Sequence, residues 1–200
     1  MRILGITGPT GAGKGAVTAI FAKRGIPTID ADAVYHTLLA QGGAMTDELA
    51  KAFGKEILND LGKVDRKCLG NAVFGKENTP ALLKALNDIT HKYVVAAIKE
   101  QLAVWDRNGI KAAVIDAPQL FEAGLEKICE AVIGVLAAQD VRLTRIMSRD
   151  GIQKEAALRR IHAQKSDSFF LSNCHYILEN NGDLPALTVR VEALLNTLQL

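Results

Sequence analysis

Gly8-Pro9-Thr10-Gly11-Ala12-Gly13-Lys14-Gly15 is the stretch that decides the fold. It has the spacing G-x-x-x-x-G-K. An apolar run, Ile3 to Thr7, precedes it and reads as a short buried strand. Ala16 to Lys23 follows and reads as a helix. A loop of this kind between strand and helix curls until successive N–H groups point inward, a nest for phosphate oxygens. The helix start adds its positive dipole end, and Lys14 adds a full charge that can bridge β- and γ-phosphates. The backbone of Gly8, Gly11, Ala12, Gly13, Lys14, Gly15 and Ala16 is therefore the candidate nucleotide-phosphate site. Where Ser or Thr usually holds magnesium, this chain has Gly15.

Outward from the loop, strands and helices alternate. Ile26 to Ile29 reads as a second strand, followed at once by Asp30-Ala31-Asp32. Strand ends line the ligand crevice of a parallel sheet, so either aspartate suits catalysis, and either suits the N-cap of the helix that follows. From Gln41 to about Asn108 the pattern is helical. Asp65 caps a helix over 66–74, and Thr79-Pro80 opens another that continues to Trp105. This block is too long for an ordinary connection and reads as a helical insertion that builds an acceptor pocket. Ala112 to Asp116 is a third strand whose terminal acid suits magnesium, directly or through water, or a helix cap. Ala131 to Leu136 is a fourth, and Tyr176 to Leu178 a fifth. Between them lies a basic helix with Arg142, Arg145 and Arg149 on roughly one face, then Arg159 and Arg160 in a short helix over 154–164. Arginines so placed suit a clamp on transferring phosphoryl groups. The alternation predicts a doubly wound α/β fold with the loop near the middle of a parallel sheet.

The 200 residues suit a single domain with one core and insertions. A hydrophobic content of 48%, a charged content of 23% and a net charge of +2 single out no partner. Without a concentrated basic stripe, nucleic acid is not expected. Three scattered cysteines without C-x-x-C suggest neither a disulfide framework nor a zinc site. A signal peptide and a membrane span are not expected, and a cytoplasmic protein is.

Six ordered stretches resemble the dephospho-coenzyme A kinase family, across nearly the whole chain. They are Gly5-Ile6-Thr7-Gly8 with Gly11 to Lys14; Ile29-Asp30-Ala31-Asp32; Val64-Asp65-Arg66 through Gly70 with Val73-Phe74; Pro118 with Leu120-Phe121-Glu122; Arg149-Asp150-Gly151 with Arg160-Ile161 and Gln164; and Ile177 through Gly182. The resemblance implies a P-loop kinase fold: a five-stranded parallel sheet with helices on both faces, a helical acceptor-binding insertion over about 33–110, and a lid over about 151–172. It implies transfer of the γ-phosphate of ATP, with Mg2+, to the ribose 3′-hydroxyl of dephospho-coenzyme A, the last step of coenzyme A synthesis. Asp32 is then the base or orienter for that hydroxyl, and Lys14 acts on the ATP phosphates. Arg149 and Arg160 belong to the nucleotide clamp, and Arg66, His91 and Gln164 to the substrate. Asp116 is an indirect metal ligand. A monomer or weak homo-oligomer is expected.

The chain departs from the family at several points. Besides Gly15, it carries Gln119 for a leucine, His36 for an arginine and Lys92 for the proline after His91. No Lys or Arg lies between Lys165 and Tyr176. A nucleoside or nucleotide kinase of the same fold remains an alternative reading. A degenerate relative that binds nucleotide or coenzyme A with weak activity is another.

Overall fold

The apolar runs of the three middle strands follow from burial of both faces of a parallel sheet, while the two edge strands are shorter and partly exposed. In the computed structural model, which describes residues 1–75 and 79–200, the five strands are β1 (Arg2–Thr7), β2 (Thr28–Asp30), β3 (Ala112–Asp116), β4 (Ala131–Leu136) and β5 (Tyr176–Glu179). They form one parallel sheet of order β2-β3-β1-β4-β5. The central strand is β1, in register with β3 (Ile6 opposite Asp116) and with β4 (Ile6 opposite Ile133). The loop of residues 8–15 therefore leaves the middle of the sheet, as expected.

The chain forms two compact units, one of Met1–Ile29 with Asn108–Leu200, the other of Asp30–Arg107. In the first, α1 (Lys14–Lys23) and α9 (Leu184–Thr197) cover one face of the sheet. Val17, Ile20 and Phe21 of α1 and Leu187, Val191 and Leu195 of α9 pack with Leu4, Ile6, Val114 and Ile133. A 3-10 turn at Leu125–Ile128 and α8 (Asp167–Asn173) lie against the sheet on β1 and β4. Two glycines of the strands leave room there for sulfur. A Cβ on Gly5 would lie 3.1 Å from Cys129 Sγ, and one on Gly134 would lie 3.0 Å from Cys174 Sγ. The remaining helices of this unit are α6 (Gln139–Asp150) and α7 (Lys154–His162), joined through Ile146, Ala157 and Ile161.

The second unit is helical: α2 (Ala31–Gln41), α3 (Ala44–Phe53), α4 (Arg66–Phe74) and α5 (Pro80–Arg107). Leu39, Leu49, Ile57, Leu69, Val73 and Ile89 form its core. Its caps follow the sequence closely. The Asp65 carboxylate accepts from the Lys67 and Cys68 amides at 2.8 and 2.9 Å, which holds its pKa below the usual carboxylate range. Thr79 Oγ1 accepts from the Leu82 amide at 3.3 Å.

Some boundaries differ from expectation. The helix α1 starts at Lys14 rather than Ala16, because the helical turn closes on the loop itself: the Ala16 amide donates to the Gly13 carbonyl at 3.0 Å. The second strand lies at Thr28–Asp30 rather than 26–29. The helix over 154–164 stops at His162, and α8 follows where no helix was expected. Among the described residues no helix is long and apolar enough to cross a membrane.

Burial pushes the Cys129 thiol up to about 12 and the Cys174 thiol to about 11. Both hold their protons at neutral pH, where a thiol reagent needs the thiolate. In native protein at pH 8 both are expected to react with an aromatic disulfide reagent many times more slowly than in urea. Site-resolved mass spectrometry of the labelled protein checks this, and equal rates in the two states would contradict it.

Candidate active site

Three glycines let the phosphate loop take its curve. Gly8, Gly11 and Gly13 have φ of 142°, 78° and 95°, the region open to glycine. They also let other elements come close. A Cβ on Gly8 would overlap the Val135 carbonyl oxygen, and one on Gly13 would overlap Asn180 Nδ2. One on Gly11 would lie 2.8 Å from the Arg142 carbonyl oxygen. Lys14 Nζ donates to the Gly8 carbonyl at 3.0 Å, so its ammonium spans the loop mouth. Nothing lies within 4 Å of a Cβ built on Gly15.

An N–H nest requires that the loop carbonyls point away from it. Three side chains hold them there. Arg142 Nε donates to the Thr10 carbonyl at 3.0 Å. Asn180 Nδ2 donates to the Ala12 carbonyl at 2.8 Å. An Arg145 nitrogen (Nη1) donates to the Gly11 and Ala12 carbonyls at 3.4 Å each, and to the Asn180 carbonyl at 3.0 Å. Two arginines expected on transferring phosphate therefore support the loop from outside.

Arg149 and Arg160 converge on one carboxylate, Asp150. Arg149 Nε is 2.7 Å from Asp150 Oδ1, and Arg160 Nη1 is 2.5 Å from Oδ2. Arg149 also reaches Thr10 Oγ1 at 3.4 Å. The arginines hold the Asp150 carboxyl below its ordinary pKa. Gln164, expected at the substrate, accepts from the Thr10 amide at 2.8 Å. Asp116 ends β3 beside the strand that feeds the loop.

In the second unit the two aspartates separate in role. Asp30 is the cap of α2: its Oδ1 accepts from the Asp32 and Ala33 amides at 2.9 and 3.1 Å. That hydrogen bonding leaves Asp32 as the carboxylate presented in the first, dipole-positive turn of α2, where it is exposed. Tyr35 and His36, three and four residues on, share its face, with ring centroids 5.4 Å apart. Arg66 starts α4, and its charge acts on Tyr35, whose pKa is raised by burial and lowered less by that charge. His91 lies on α5, which packs on α2. Lys92 pairs with Glu48 of α3 at 2.9 Å, and the Tyr93 hydroxyl donates to the same carboxylate at 2.7 Å.

The family model described as CoaE, dephospho-CoA kinase, matches residues 2–186. The chain belongs to the dephospho-CoA kinase family. A dephospho-CoA kinase from Anaeromyxobacter dehalogenans is 36% identical over 199 residues, covering 100% of this chain and 93% of that protein. The crystal structure of TT1252 from Thermus thermophilus superposes with TM-score 0.81 at 31% identity, covering 98% of this chain and 97% of that one. A solved dephospho-CoA kinase from Campylobacter jejuni gives TM-score 0.72 at 27% identity, covering 99% and 98%.

For this kinase, sequence reasoning passed over Tyr35 and Asn180. Asn180 and Asn181 enter the sequence reading only as part of the stretch Ile177 through Gly182 that resembles the family, with no role attached. Yet Asn180 is buried on the loop, and Asn181 Oδ1 accepts from the Ala138 amide at 2.7 Å, ahead of α6. The available signal was two amides directly after a buried strand, where a strand end needs no buried polar side chain.

A methyl group at Gly8 is expected to close the loop. The variant Gly8→Ala should lose ATP affinity at least about 10-fold, since overlap with the β4 backbone must displace one of the two. Titration calorimetry with ATP measures this; affinity within twofold of the parent would refute it.

Proposed function

We infer that this kinase carries out the reaction of its family, ATP-dependent phosphorylation of the ribose 3′-hydroxyl of dephospho-CoA to give CoA and ADP. The observation that supports this best is a phosphate loop pinned by Arg142, Arg145 and Asn180, in a chain that matches the family over residues 2–186 and that carries an exposed Asp32 in the first turn of α2. Phosphoryl transfer asks mainly for positioning and charge neutralisation. The loop amides and Lys14 hold the β- and γ-phosphates. Asp32 accepts the proton of the attacking hydroxyl as the new P–O bond forms, and ADP leaves with the electron pair of the broken bond. Arg66 and His91 bind the acceptor, with Tyr35 beside Arg66 as a further contact. Arg149 and Arg160, held near the loop by Asp150, meet the nucleotide phosphates.

The donor set fits a magnesium ion held mostly by water and nucleotide. Among the described residues no group of three His, Cys, Asp or Glu side chains could hold a metal, and Gly15 offers no hydroxyl. Asp116 is the carboxylate that ends β3, opposite Ile6 on the strand that feeds the loop. This suits Mg2+, which keeps several waters and binds through one or two carboxylates plus phosphates. When bound, the ion supplies neutralisation of the phosphate charge. A cytoplasmic enzyme, monomeric or weakly oligomeric, belongs to the same reading.

An acceptor assay coupled to ADP release tests the function, with adenosine and AMP beside dephospho-CoA. Turnover confined to dephospho-CoA is expected; turnover confined to adenosine or AMP would move the enzyme to another acceptor class. Asp32→Asn should reduce kcat by about 100-fold or more while ATP binding survives, as for loss of a general base. Near-parental turnover would remove Asp32 from this role. Gly15→Ser should lower the Mg2+ concentration for half-maximal rate, because its hydroxyl has open space and adds a ligand. An unchanged magnesium dependence would mean that position 15 does not face the ion.

A further inference from the structure

One buried cation joins the phosphate loop to the segment after α7. Arg142 is 5% exposed, a rare state for arginine unless it is paired. All three of its guanidinium nitrogens are engaged. Nε donates to the Thr10 carbonyl at 3.0 Å, Nη2 donates to Gln164 Oε1 at 3.4 Å, and Nη1 lies 3.5 Å from Asp167 Oδ1. Gln164 Oε1 also accepts from the Thr10 amide at 2.8 Å. Both backbone groups of Thr10 are thus tied to the Arg142–Gln164 pair. Gln164 follows the end of α7, and Asp167 opens α8. Thr10 cannot shift without disturbing the junction between those helices.

The other ties of this junction lie nearer the surface. Lys165 Nζ lies 3.8 Å from Glu122 and 4.9 Å from the centre of the Phe169 ring. Phe169 meets Phe121 edge-on at 5.3 Å. Exposed ion pairs of this kind contribute little. A buried guanidinium that loses a partner leaves charge and donors uncompensated, so the Arg142 hub dominates the junction.

We propose that Arg142 is a positioning residue for ATP, coupling the shape of the phosphate loop to the docking of residues 163–170. A nucleotide that fills the nest favours the loop with Thr10 carbonyl outward, and that is the arrangement in which Arg142, Gln164 and Asp167 are joined. Occupancy of the loop and docking of the segment therefore form one linked equilibrium, in which each strengthens the other. This rests on ATP being the loop's ligand, as proposed above.

The test uses the whole chain and two variants. Asp167→Asn changes only an exposed side chain, and Arg142→Lys keeps the charge but loses the planar three-way fork. Trypsin has sites at Lys154, Arg159, Arg160 and Lys165, which report on docking. ATP is expected to slow cleavage at Lys165 in the parent. Without nucleotide, Asp167→Asn should be cut there about 5-fold faster, and its KM for ATP should rise about 5-fold with kcat within twofold. Arg142→Lys should move both in the same direction and further. Unchanged cleavage and KM in Asp167→Asn would overturn the coupling, as would absence of ATP protection in the parent. If Arg142→Lys does not fold, Asp167→Asn carries the test alone. Parent protein that ATP protects but that fails to phosphorylate dephospho-CoA would remove dephospho-CoA as the acceptor and leave the coupling standing.

Discussion

The orientation of three carbonyl groups governs the first unit. Phosphate is bound by amides that all face one way, and a chain curls so only if its carbonyls face the other way. Water would satisfy those carbonyls loosely. Here Arg142, Arg145 and Asn180 satisfy them from fixed positions on a helix and a strand end. The curve of the loop is thus held by the protein's own side chains. The rest of the unit serves that geometry: α6 sets Arg142 and Arg145 three residues apart, and β5 delivers Asn180 beside Gly13.

The same economy appears in the second unit. Two aspartates two residues apart could compete for one helix start. Asp30 takes the cap and leaves Asp32 to present its carboxylate on the face shared with Tyr35 and His36. Backbone geometry, not intrinsic acidity, selects Asp30 as the cap. Lys92, which departs from the family, has a local reason too, since its charge meets Glu48 on the neighbouring helix.

Much of this was legible from residue order. Strand count, the central place of β1, the caps at Asp65 and Thr79-Pro80, and the long helix ending near Trp105 all follow from local signals: apolar runs, N-cap chemistry and 3.6-residue spacing. What stayed hidden was direction. A sequence places Arg142, Arg145 and Arg149 on one face of a helix, but whether that face meets phosphate or the back of a loop depends on a long-range approach, made possible by Gly11. Asp167–Asn173 escaped for a related reason. Its Ser-Asp-Ser-Phe-Phe start lacks amphipathic repeat, and its helix is held by contacts of Phe169 and Phe170.

The sulfur atoms packed beside Gly5 and Gly134 bear on the company this enzyme keeps. Its substrate and product both end in a thiol, and their oxidised forms are disulfides that a protein thiolate attacks. Cys129 and Cys174 are half-sheltered and keep their protons far above neutral pH. Two strand glycines thereby make the interior of a thiol-handling enzyme a poor partner for mixed disulfides with its own ligands.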